Sequence, residues 1–107
     1  MVQYQHLDRT FAALADPTRR GILERLQAGT ATISELAQPA GITLTGMKKH
    51  VQVLEDAELV TTRKVGRSRV CELGPRRLDE AATWIEQWSE RLDRLADLVE
   101  RHKGMDQ

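Results

Sequence analysis

"ISELAQPAGITLTGMKKHVQVLEDAELV", Ile33 to Val60, holds two helical patterns separated by punctuation. Leu36 and Ala37 belong to a short first segment with Ser34 as its expected N-cap. Pro39 and Gly41 keep that segment short, because proline lacks an amide hydrogen and glycine accepts left-handed backbone. Thr43 is the expected cap of the second segment. There Leu44, Met47, Val51 and Leu54 fall at i, i+3, i+7 and i+10, one apolar stripe of a helix, while Thr45, Lys48, Lys49 and Gln52 occupy the other side. Short helix, tight turn and longer helix in that order are the layout of a helix-turn-helix.

Downstream the period changes. "LVTTRKV" (59–65) and "SRVCEL" (68–73) are rich in β-branched residues, and "GRS" (66–68) is turn chemistry, which predicts a β-hairpin with a basic tip. From Pro75 onward Leu78, Ala82, Ile85, Trp88, Leu92, Leu95 and Val99 follow spacings of three and four. That predicts a last helix over about 75–103, roughly 40 Å long at 1.5 Å per residue. Such a helix overhangs a domain of this size. An apolar stripe beyond the reach of its own core is covered when two copies pack together, so a homodimer is inferred.

Upstream, Leu7, Phe11 and Leu14 form one stripe of a first helix over about 6–15. Asp16 can accept from free amide groups and Pro17 at a first helical position loses no hydrogen bond, so a second helix starts there. Ile22, Leu23 and Leu26 supply its buried face, and Gly29 ends it.

Composition bounds the rest. The 107 residues suit a single domain, 1–107, and 40% hydrophobic with 30% charged residues is the balance of a soluble globular chain. No apolar run could span a bilayer and the first residues lack the make-up of a signal peptide, so a cytoplasmic protein without membrane contact is expected. Cys71, the one cysteine, has no partner for an internal disulfide. It reads either as a small core residue or as a redox-sensitive thiol, the inert reading being favoured. Sixteen Lys and Arg balance sixteen Asp and Glu. The distribution is uneven, however: Lys48, Lys49, Arg63, Lys64, Arg67 and Arg69 face only Glu55, Asp56, Glu58 and Glu72 between Leu44 and Pro75. No glycine-rich phosphate loop, nucleophile motif or histidine–carboxylate set marks an enzyme, and no cofactor is expected.

In a helix-turn-helix the second helix enters the DNA major groove, anchored from behind by its apolar stripe. Thr43 and Thr45 at its start can donate to phosphate beside the free amide groups. Lys48, Lys49 and Gln52 follow on the exposed side, with His50 at the rim as a packing residue or phosphate contact; the bases they would read are left open. Arg63, Lys64, Arg67 and Arg69 would touch backbone or minor groove, mainly as charge. Each cluster alone has a plainer reading. A lysine pair is most often a solvated helix face, and cations on a hairpin often guard an edge strand. Flanking one helix-turn-helix together, they favour double-stranded DNA over the alternative, a module for protein–protein contact.

"ALADPTRRGILERL", the long central stretch and "RKVGRSRVCEL" resemble the ArsR family of winged-helix transcriptional regulators over nearly the whole chain. The resemblance implies a fold that is mainly α with a small β-hairpin wing, dimeric through its terminal helices. It places Leu7, Phe11, Leu78, Ala82, Ile85, Trp88, Leu92, Leu95 and Val99 at the dimer interface. It also implies a pseudo-palindromic operator and, usually, repression. Many members resembling this chain sense metals through a Cys-x-Cys pair beside "ELA"; here the segment reads "ELAQPAG", without cysteine. His102 with Asp97 and Glu100, even joined by His6 of a second copy, is an incomplete set, so no metal site is expected. Trp84 and Trp88 resemble the last helix of a metal-independent branch. Their default role is dimer core, with an unknown small-molecule effector left open.

Overall fold

The computed structural model describes residues 3–74 and 77–105, and the side-chain surroundings of 7–74 and 79–102 within them. The order is α1 (Gln3–Leu14), α2 (Pro17–Leu26), β1 (Ala31–Thr32), α3 (Ile33–Ala40), α4 (Leu44–Asp56), β2 (Val60–Val65), β3 (Ser68–Leu73) and α5 (Arg77–Met105). The last helix is described over 77–105, reaching past the expected end at about 103, and the first begins at Gln3. The expected start at Pro75 and the side chains of His6 and Leu78 lie outside the described residues.

Helix starts follow their capping chemistry. Asp16 caps α2 by accepting from the Arg19 amide at 3.1 Å, with Pro17 in the first turn. For α3 the cap is Thr32, not Ser34. Thr32 Oγ1 accepts from the Glu35 amide at 3.1 Å, and Glu35 Oε1 accepts from the Thr32 amide at 3.2 Å. This reciprocal capping box satisfies two amide groups at once, which a serine two positions later cannot do. Ser34 is instead exposed on the first turn.

The sheet has three strands, not the two of the expected hairpin, in the order β1-β3-β2. β2 and β3 pair antiparallel from Val60↔Leu73 to Val65↔Ser68, and β1 adds Ala31↔Cys71 and Thr32↔Val70 on the other side of β3. A two-residue strand has no periodicity to read, so β1 left no trace in the pattern. Gly66, with φ of 62°, takes the first position of the two-residue turn, where a hairpin of this kind needs positive φ.

One core lies between the helices and the sheet: Ile22, Leu23, Leu26, Leu36, Met47, Val51, Leu54, Leu59, Val60 and Cys71 are all buried. Leu44, expected in that stripe, opens α4 and is 51% exposed. The link from α4 to β2 turns sharply. The amides of Glu58 and Leu59 each donate at 2.9 Å, to Glu55 and Leu54 carbonyls, with Glu58 in the left-handed region at φ 63°. Gly74 passes so close to this turn that a β-carbon on it would meet the Glu58 carbonyl oxygen.

Helix α5 leaves this body. It packs on α1 through Ala81, which is buried, and through a T-shaped contact of Trp84 with Phe11 at 5.2 Å. Trp88 stacks on Trp84 at 5.2 Å, and the Arg91 guanidinium lies 5.2 Å over the Trp88 ring. Ala82 is exposed, one position off the face that turns inward. Beyond Trp88 the helix projects alone, and the molecule measures 65 × 33 × 22 Å.

Candidate nucleic-acid interface

The turn between α3 and α4 fixes how α4 is presented. Gly41 adopts φ of 65°, and the Ile42 amide donates back to the Ala37 carbonyl at 3.2 Å, closing α3. Thr43 then caps α4, its Oγ1 accepting from the Gly46 amide at 3.0 Å. Gly46 permits that approach: a β-carbon there would stand 3.1 Å from both Thr43 Oγ1 and Ile42 Cγ2. Met47, Val51 and Leu54 bury the inner face of α4, and Thr45, Lys48, Lys49 and Gln52 stay exposed on the outer one.

The fold brings Lys48 of α4 together with Lys64, Arg67 and Arg69 of the hairpin. They line one groove of about 290 Å³, with Thr32, Ile33, Ser34, Leu44 and Ser68 completing it. Sixteen or more positions separate Lys48 from these hairpin cations in the chain, and only the return of β2 and β3 past the start of α4 unites them. Among the described residues Lys48, Lys49, Arg63, Lys64 and Arg67 carry no ion pair, so their charge is directed at solvent. Ser34 and Ser68 on the groove were missed as site residues, since sequence reads them as cap and turn chemistry. Hydroxyls flanking a cationic groove are apt donors to phosphate oxygens.

Other expected contacts are placed differently. His50 is half-buried and turned toward α2, with Nδ1 3.4 Å from Arg19 Nη1 and 3.9 Å from Asp16 Oδ2. The Arg19 amide, more than His50, holds the Asp16 carboxyl below the usual carboxylate range. Gln52 Nε2 donates to Asp56 Oδ1 at 2.8 Å along α4, which occupies one of its donors. Arg69 donates to Thr62 Oγ1 at 2.8 Å. Lys49, His50, Gln52 and Arg63 lie outside the groove, Thr43 and Thr45 at the start of α4 beside it.

A cationic groove between the outer face of a second helix and a basic hairpin is the arrangement of a winged helix-turn-helix, a DNA-binding class. A helix-turn-helix domain model matches residues 14–63. The chain is 37% identical over 101 residues to the HTH-type transcriptional regulator Rv2034 of Mycobacterium tuberculosis, covering 94% of each protein. It is 28% identical to the transcriptional repressor SdpR of Bacillus subtilis over 74% of this chain and 88% of that one. Among solved structures, an ArsR-family transcriptional regulator, RHA00566, superposes with a TM-score of 0.75 at 39% identity, covering 83% of this chain and 92% of the other. The chain belongs to the ArsR family of winged helix-turn-helix transcriptional regulators.

No helix among the described residues is long and apolar enough to cross a membrane.

Proposed function

We propose that the chain acts as one folded unit, as a homodimeric repressor in the cytoplasm, binding a pseudo-palindromic operator that includes its own upstream region. The observation that carries this reading is the shared groove of Lys48, Lys64, Arg67 and Arg69, four cations from α4, the two wing strands and the turn between them facing one solvent channel. In the proposed complex α4 lies in the major groove. Thr43 and Thr45 meet phosphate at its start, and Lys48 and Lys49 reach phosphates or guanine acceptors. Lys64 and Arg67 at the wing follow the adjacent backbone, with Arg63 beside them. Two copies joined through α1 and α5 present their α4 helices to successive major grooves, about 34 Å apart. Repression is also the activity in the name of the relative SdpR, a transcriptional repressor.

Fluorescence-anisotropy titration of the gene's upstream fragment against a scrambled duplex, at two salt concentrations, tests this. Tight binding to the first alone, weakening with salt, is the expected result. Lys48→Ala and Lys49→Ala should each weaken it, leaving the fold intact. Equal, weak binding to both duplexes, unaltered in the two variants, would reject the placement of α4 and favour a winged helix that recognises protein.

A further inference from the structure

The wing and α4 are joined by a chain of two hydrogen bonds. Arg69 Nη1 on β3 donates to Thr62 Oγ1 on β2 at 2.8 Å, and the Thr62 hydroxyl donates onward to Glu55 Oε2 on α4 at 2.8 Å. The directions follow from the groups: a guanidinium can only donate and a carboxylate can only accept, so the hydroxyl between them does one of each. Thr62 and Glu55 are half-buried, and beyond Thr62 every side chain of β2 is exposed. The relay therefore stands where the hairpin leaves the core. A two-stranded ribbon projecting into water has little of its own to hold its angle.

We propose that Arg69 is a positioning residue for DNA binding: acting through Thr62 and Glu55, it fixes the wing relative to α4 so that Lys64 and Arg67 meet the backbone when α4 is seated. This rests on the DNA-binding reading above. It separates Arg69 from its neighbours. Lys64 and Arg67 contribute charge directly, whereas Arg69, on the same groove, also directs Nη1 inward to Thr62.

The test uses the full-length protein and a duplex that it selects from a random-sequence pool. Thr62→Val removes the relay while deleting no charge, and valine suits a β-strand. It should weaken binding about tenfold and make the slope of log affinity against log salt shallower by about 1, the loss of roughly one phosphate contact. Arg69→Ala should do the same, and the double variant should be no weaker than either single one, as expected for residues acting in one network. Thr62→Ser, which keeps the hydroxyl, should restore binding. Melting curves establish that each variant is folded at the assay temperature. Native affinity and slope in Thr62→Val, with a loss confined to Arg69→Ala, would overturn the proposal and make Arg69 a direct phosphate contact. Failure of the unaltered protein to enrich any duplex would instead remove the DNA-binding reading, before any variant is compared.

Discussion

Arg19 Nη1 sits 3.4 Å from His50 Nδ1, which ties the start of α2 to the inner edge of α4. The same guanidinium donates through Nε to the Ala13 carbonyl at 2.7 Å and through Nη2 to the Ala12 carbonyl at 3.1 Å. Arginine has no acceptor, so the guanidinium is the donor of this pair. One side chain thus joins the last turn of α1, the first turn of α2 and the middle of α4. In the proposed complex His50 acts from behind the interface, by holding α4 in place.

Removing this clamp should cost stability. Arg19→Ala loses charge-assisted bonds to two carbonyls at a helix end, and about 2 kcal/mol is expected. Urea denaturation should show a lower midpoint with an unchanged slope. Lysine offers a point charge in place of the planar fork, so Arg19→Lys should recover less than half of the loss. Full recovery in that variant would mean that charge alone is what matters at this site.

The cap of α3 gives a paired prediction. Thr32→Ala should destabilise the protein by about 1 kcal/mol, since it breaks the box with Glu35. Ser34→Ala should stay within about 0.5 kcal/mol of the parent, as an exposed first-turn residue does. Thermal melting of the two variants side by side decides it. The reverse order of effects would restore Ser34 as the cap.

These two sites show where sequence reading succeeds and where it stops. The stripe of Met47, Val51 and Leu54 was readable because helical burial repeats over three turns, and the hairpin because Gly66 breaks two β-branched runs. Thr32 was missed because its capping role depends on β1 ending where α3 begins, and β1 exists only by pairing with β3. His50 was left open between packing at the rim and phosphate contact because position on a helix gives an angle but not the neighbour. Arg19 comes from a different helix thirty-one positions away. Likewise the cations of α4 and of the wing could be counted in the sequence, but their meeting in one groove follows from the sheet register.

Cys71 gives the protein an alkaline dependence. Burial pushes its thiol above the ordinary value, the Glu55 carboxylate adds to this, and Arg69 opposes it. The folded chain therefore keeps a proton that the unfolded chain gives up near the ordinary thiol pKa of about 8.5. The sign follows: the contribution is whole below that pH, and stability falls as pH rises through and above it. Chemical denaturation from pH 7 to 10 should show a steeper decline for the native protein than for Cys71→Ala. Parallel declines in the two would mean that the thiol ionises as readily folded as unfolded. Alkylation of the native protein at neutral pH should also be slow and become fast in denaturant.

Ile85, Leu92, Leu95 and Val99 are 50%, 56%, 53% and 53% exposed along one side of α5. The radius of gyration is 18.2 Å, where a compact chain of this length has about 13 Å. The excess is this helix, and an aliphatic stripe left in water disfavours the isolated chain. In the proposed homodimer a second copy brings the same stripe and covers both in a two-fold arrangement. Sedimentation should therefore give twice the chain mass for the native protein, and the chain mass for Ile85→Glu/Leu92→Glu. Because both side chains are exposed in the single chain, the helix-turn-helix body of the variant should keep its secondary structure. Its DNA affinity should fall to that of a single half-site, since each α4 would bind alone. A variant that still sedimented as a dimer would place the interface on another face, and the spacing of about 34 Å between recognition helices would lose its basis.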